Sequence, residues 1–109
     1  MREPAYPSIT PRELKEKLDA GGRPELLDVR EPWEFDAARI QGSRLIPLGA
    51  MPDRVSELDP RRETVVICHH GARSAYVTQA LVRSGFLNVF NLEGGLDAYS
   101  LVDEDVARY

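Results

Sequence analysis

The stretch Thr64-Val65-Val66-Ile67-Cys68-His69-His70-Gly71-Ala72-Arg73-Ser74 changes character in its middle. Thr64 to Cys68 is continuously apolar and rich in β-branched residues, which predicts a parallel strand covered on both faces. From about Arg73 the period becomes helical. Val77, Ala80, Leu81 and Ser84 fall on one face, and Gly85 is the stop signal. A buried strand, a short polar loop and a helix make half of a crossover unit.

The same rhythm runs outward in both directions. Downstream, Asn88 to Leu92 predicts another strand, Gly94-Gly95 a turn, and Leu96 to Ser100 a short helix. Upstream, Ser8-Ile9 predicts a short first strand. Thr10-Pro11-Arg12-Glu13 is a capping box with Pro at the first helical position. Leu14 and Leu18 give that helix its apolar face, and Gly21-Gly22 ends it. Leu26 to Val29 predicts a buried strand, Glu31 to Phe35 the start of a short helix, and Leu45 to Leu48 a strand closed by Pro47. Met51 to Leu58 predicts a helix that ends near Pro60. Strand and helix alternating in this way mean an α/β domain, with a mostly parallel central sheet of about five strands and helices on both faces. One domain is expected over 1–109, with an N-terminal arm at 1–7 and a loosely packed tail at 101–109.

Composition narrows the classes. A chain of 109 residues suffices for one hydrophobic core, and its apolar and charged fractions are ordinary for a globular domain. A net charge of −4 does not suit a general nucleic-acid binder. No apolar run is long enough to cross a membrane. Met1 to Thr10 is polar and proline-rich, without the apolar centre of a signal peptide, so a cytoplasmic protein is expected. Cys68 is the single cysteine, which excludes an internal disulfide and a cysteine-only metal site.

Ligands of parallel sheets bind beyond the carboxyl ends of the strands, and Cys68 sits at such an end. Backbone N–H groups of the following loop can converge on one point, with Gly71 permitting the tight curl. The helix start adds partial positive charge and Arg73 a permanent one. All three favour a thiolate over a thiol. A polar His-His-Gly loop after a buried strand is poor packing material, so a reactive cysteine is expected in place of a structural one.

Cys68 through Ser74 resembles the active-site loop of the rhodaneses, Cys-x-x-Gly-x-Arg-Ser between strand and helix. Leu27-Asp28-Val29-Arg30-Glu31 with Glu34-Phe35 resembles their Asp-Val-Arg-Glu…Glu-Phe element. Asn91 to Leu96 with Ala98 resembles the segment after their last strand. The match runs in order from about residue 8 to the end of the sequence. It implies a sulfurtransferase in which the Cys68 thiolate takes sulfane sulfur from thiosulfate or a persulfide donor and passes it to a thiophilic acceptor. It implies no metal and no organic cofactor. The implied partners are a small sulfur donor and a sulfur-carrier or persulfide-donor protein, with no nucleic acid and no membrane. Related phosphatases and arsenate reductases have one residue more between Cys and Arg, so the shorter loop here disfavours those activities. A non-turnover relay or docking module is the alternative, and Ser100 to Tyr109 resembles the tails of rhodanese domains attached to sulfur-carrier-activating enzymes.

The other site candidates carry two expectations each. His69, His70, Gly71, Ala72, Arg73 and Ser74 are expected to bind substrate, yet Arg73 could equally brace the loop. Asp28 and Arg30 are expected to brace the site, because charges at a strand end usually pair. His69 and His70 could touch the acceptor or simply face solvent. A metal on Cys68 and the histidines is disfavoured, because adjacent side chains do not readily converge on one ion and no further Cys or His exists. Trp33 and Phe35 could rim a cleft, but core packing is expected. Three features depart from the family pattern. Arg39 in Ala38-Arg39-Ile40-Gln41-Gly42-Ser43 stands where a His is usual, and Tyr99 where Trp is common. The loop offers histidines in place of Arg or Lys. Arg73 is its one permanent cation, which suits a protein persulfide better than dianionic thiosulfate.

Overall fold

The computed structural model describes residues 6–109. Except for Tyr6 and Pro7, the N-terminal arm expected at 1–7 lies outside the described residues. The elements are β1 (Ser8–Ile9), α1 (Pro11–Asp19), β2 (Glu25–Asp28), α2 (Pro32–Ala37), β3 (Arg44–Leu45), α3 (Met51–Arg54), β4 (Thr64–Ile67), α4 (Ala72–Arg83), β5 (Val89–Leu92) and α5 (Gly95–Tyr99).

All strand pairs are parallel, in the order β1-β5-β4-β2-β3. The pleat sends alternate residues to opposite faces, and two cores result. On one face Leu26, Val65, Ile67 and Leu92 pack with Leu14 of α1 and with Leu96 and Tyr99 of α5. On the other, Leu27, Val29, Val66 and Cys68 pack with Met51 of α3 and with Val77 and Leu81 of α4. The expected α/β fold with helices on both faces is the observed one. Among the described residues no helix is long and apolar enough to cross a membrane.

The order of the strands places the site. The chain leaves β2 through α2 toward β3, at one edge, and leaves β4 through α4 toward β5, on the other side. The two connections diverge, which opens a crevice beyond the carboxyl ends of β2 and β4. Cys68 is the first residue past β4 and Arg30 the second past β2.

Several expectations shift in detail. The third strand is only Arg44–Leu45, although the chain keeps bonds to the end of β2 beyond it, from the Ile46 N–H to Asp28 O at 2.9 Å and from the Leu48 N–H to Val29 O at 3.0 Å. A single helix over Met51 to Leu58 is replaced by the short α3 between 3₁₀ turns at Leu48–Ala50 and Val55–Glu57. β-branched Val55 and Ser56 are weak helix formers, and the Leu58 N–H closes on Val55 O at 3.0 Å. In α4 the inward stripe is Ser74, Val77, Thr78 and Leu81, while Ala80 and Ser84 are exposed. Turning Ser74 toward Cys68 fixes that phase.

The tail does not lie loose against the fold. A turn at Asp103 folds the chain back, with the Val106 N–H on Asp103 O at 3.1 Å and the Asp105 N–H on the Asp103 carboxylate at 3.0 Å. Val106 is buried in the core beside α1 and α5. Val102 and Tyr109 pack against the same core, so apolar contacts at three positions anchor a segment that carries charge at Asp103, Glu104, Asp105 and Arg108.

Candidate active site

Cys68 is the first residue past β4, and only 1% of it is exposed. The loop then curls so that its N–H groups face the sulfur. Gly71 makes the curl at φ 103°, a left-handed conformation that glycine adopts without a steric cost. Its N–H donates to Cys68 Sγ at 3.0 Å. The Ser74 N–H lies at 3.3 Å from Sγ, and Ser74 Oγ at 3.2 Å. Ser74 is in the first turn of the twelve-residue α4, where backbone N–H groups have no intrahelical acceptor. The sulfur therefore sits at the N-terminal end of a helix, within reach of two backbone N–H donors.

The loop carbonyls turn the other way. Cys68 O accepts from the Leu96 N–H at 2.8 Å, and His69 O from the Asp97 N–H at 3.0 Å. Both donors belong to the start of α5. A Cβ on Gly95 would lie 2.6 Å from Cys68 O and closer still to the His69 carbonyl, so α5 can approach the loop this closely only through a glycine. Asn91 of β5 adds a bond from Nδ2 to Gly71 O at 3.4 Å. Carbonyls tied outward leave N–H groups pointing inward.

Side chains from α2 close the opposite side. Arg73 binds Glu34 in bidentate fashion, Nη1–Oε1 at 2.7 Å and Nη2–Oε2 at 2.9 Å. Of the two roles open for Arg73, bracing is the contact present. The guanidinium holds the Glu34 carboxyl down at about 2, with burial opposing and the Glu31 N–H and Tyr109 hydroxyl assisting. Arg30 is wholly buried. It binds Asp28 through Nε at 2.8 Å and Nη2 at 2.7 Å, and donates to the carbonyls of Glu34 and Ala38. The Arg30 guanidinium thus fixes the chain path through α2, which in turn fixes Glu34.

The two histidines are unlike each other. His69 is half-buried; burial, with the His70 ring beside it, pushes its pKa down. The side chain of His70 is 69% exposed and lies 3.7 Å from Asp97. Their ring centroids are 4.0 Å apart, so adjacent side chains do converge here. With Asp97 they form a group whose possible ligand atoms all lie within 4.8 Å of one another. Ala72 is an exposed first residue of α4. Trp33 is 66% exposed, not core, because Glu34 is the residue that α2 buries.

A six-residue loop with its sulfur among backbone donors, at the end of a central parallel strand, decides the kinship. Residues 10–101 match the model of the rhodanese-like domain. The chain belongs to the rhodanese-like domain family. It is similar to a probable adenylyltransferase/sulfurtransferase, MoeZ, of Mycobacterium tuberculosis, 38% identical over 85% of this chain and 24% of that protein. It is likewise similar to a putative sulfurtransferase, YtwF, of Bacillus subtilis, 38% identical over 84% of this chain and 87% of that one. Among solved structures, a rhodanese-related protein from Thermoplasma volcanium superposes with a TM-score of 0.83 at 33% identity, covering 94% of this chain and 98% of that one. Against several curated relatives the chain spans only 24% to 50% of their length.

Three residues around this rhodanese-like loop were not expected at the site. Glu34 is legible in the sequence as part of a helix start and of the element that resembles the rhodaneses, but neither signals a bond to Arg73. Nothing local to Asp97 or Tyr109 signals the loop, because their contacts close over long sequence separations. Tyr109 Oη donates to Glu34 Oε2 at 2.9 Å, and its ring lies 4.4 Å from that of His69.

Proposed function

We propose that this rhodanese-like domain is a sulfurtransferase that carries sulfane sulfur as a persulfide on Cys68, loaded from a persulfide donor in preference to thiosulfate. The observation that carries the proposal is the seat of Cys68 Sγ on the N–H groups of Gly71 and Ser74. Ala72 and Arg73 share the same first turn, so their N–H groups also lack intrahelical acceptors and can receive an outer sulfur.

The Cys68 thiolate attacks the outer sulfur of a donor R–S–SH. The Cys68 S–S bond forms, the donor S–S bond breaks, R–S⁻ leaves, and the proton stays with the transferred sulfur until it ionises. An acceptor then attacks that outer sulfur, and Cys68 returns as a thiolate. With cyanide the product is thiocyanate; in the cell the acceptor is a thiol or a sulfur-carrier protein. Two half-reactions through one covalent intermediate give ping-pong kinetics. A lone reactive thiol suits the reducing cytoplasm.

The donor preference follows from charge. Arg73 is spent on Glu34 and Arg30 on Asp28, while His69 is held toward its neutral form. Dianionic thiosulfate would find no unpaired cation among these residues, whereas a persulfide needs only the N–H groups. The loop separates Cys68 from Arg73 by four residues, tighter than the cradle of the related phosphatases.

The test is sulfur transfer to cyanide from glutathione persulfide and from thiosulfate, in wild type and Cys68→Ser. Activity that vanishes in the variant, with the persulfide the better donor, is expected. Mass spectrometry should show Cys68 gaining one sulfur. An unmodified thiol under excess of both donors overturns the proposal; a persulfide that forms but turns over slowly marks a relay module.

A further inference from the structure

Tyr109 touches one end of the Cys68 loop and reaches the other through Glu34. Its ring meets that of His69, the residue after the cysteine, at 4.4 Å and 64°. Its hydroxyl holds Glu34, which holds Arg73, the residue that closes the loop. The Arg30 guanidinium carbon lies 5.2 Å from the ring centroid, and Trp33 packs against the ring edge-on at 6.1 Å. Tyr109 is thereby gripped on several sides at the rim of the crevice.

The surroundings are tied down unevenly. Cys68 is nearly sealed, so a donor must pass its rim to reach the sulfur. Most of that rim is held by hydrogen bonds: Cys68, His69 and Gly71 are tied through their carbonyls to α5 and Asn91, and Arg30 is fully buried. Tyr109 arrives on a strap anchored by Val106. Past Val106 the backbone makes no hydrogen bond to the body among the described residues. Side-chain contacts alone hold the ring in place, and these are the contacts a partner or a substitution can exchange.

We infer that Tyr109 is a specificity-determining residue: its ring walls one side of the approach to Cys68, admits a slim sulfur chain presented end-on, and refuses broad molecules. The inference rests on Cys68 being the sulfur carrier, but the geometry of access can be measured without any sulfur transfer.

Cys68 is the only thiol of the chain, so its alkylation reports access directly. The experiment compares rates with iodoacetamide, a slim reagent, and with fluorescein maleimide, a broad one. The proteins are the full chain as wild type, Tyr109→Phe, Tyr109→Ala and Tyr109→Trp, with Cys68→Ser as the blank. In Tyr109→Ala the ratio of broad to slim rates should rise about tenfold, since the fraction of molecules open to the broad reagent rises. Tyr109→Phe keeps the ring against His69, Arg30 and Trp33 and should leave the ratio within about twofold of wild type. Tyr109→Trp narrows the approach and should lower the ratio, which keeps the inference testable if Tyr109→Ala does not fold. An unchanged ratio in Tyr109→Ala or Tyr109→Trp overturns the inference, and so does an equal acceleration of both reagents, which is general loosening. A shifted ratio in a chain that transfers no sulfur would leave the wall standing and remove the proposed function.

Discussion

On one side the Cys68 loop is held by backbone, and on the other by side chains. The N–H groups of Leu96 and Asp97 take the Cys68 and His69 carbonyls, and Gly95 lets α5 come close enough to do so. Across the crevice, Arg73 is clasped by Glu34, and Glu34 by Tyr109. A backbone seat carries no titratable group and leaves no room for an added atom. A side-chain clasp tolerates change in shape but responds to pH and to loss of charge. The two sides therefore fail in different ways, and the difference can be measured.

The largest effect should come from the seat. Gly95→Ala forces a Cβ into the Cys68 and His69 carbonyls and places it at φ 64°. Either the loop or α5 must move, at a cost of about 3 kcal/mol or more. The N–H groups would then no longer converge on Sγ. Urea unfolding and the alkylation rate of Cys68 both report this. A variant of normal stability would show that the seat yields easily and that the division between the two sides is false.

The clasp should cost less and should show its charge. Glu34→Gln removes the carboxylate from Arg73 and Tyr109, but the Arg73 side chain is about one-third exposed and can find water. A loss of about 2 kcal/mol at pH 7 is expected. The sign with pH follows from linkage. The Glu34 carboxyl is depressed from 4.5 to about 2, so its stabilisation is complete above about 4.5 and is lost as pH falls toward 2. The gap between wild type and Glu34→Gln should therefore shrink over that window in urea melts. A gap that persists at pH 2 would mean that the carboxylate charge is not what holds Arg73.

The seat and the clasp also differ in how far the sequence announces them. Strand, loop and helix around Cys68 are contiguous, and a period change with a glycine at the turn marks all three. Gly94-Gly95 is visible as a turn, but the close approach behind it depends on where α5 docks. The clasp pairs residues 39 and 75 positions apart, and neither a lone glutamate in a capping box nor a tyrosine in a polar tail signals such a partner. Arg73 illustrates the limit well. Its presence in the loop is plain in the sequence, while its direction is set by Glu34, which only the fold brings near. The phase of α4 shows the same limit: hydrophobicity favours Ala80 on the inward face, and the demand that Ser74 face the sulfur turns Ala80 outward.

The smallest effect should come from the outermost charges. Arg108 lies 3.2 Å from Asp97, which also faces His70 at 3.7 Å, and this pair looks like an extension of the clasp. The Arg108 side chain is 65% exposed, so water competes for both partners and salt screens them. Arg108→Ala should change stability by less than about 0.5 kcal/mol, with no change in the access of alkylating reagents to Cys68. Val106→Ala, which removes buried apolar contacts from the same strap, should cost about 1–2 kcal/mol. If Arg108→Ala proved the more damaging, the strap would be held by surface charge and Tyr109 would be positioned by the Asp97 pair. If the order holds, burial of Val106 brings the strap back and the Glu34 bond aims the ring, which makes Tyr109 the outer limit of the clasp.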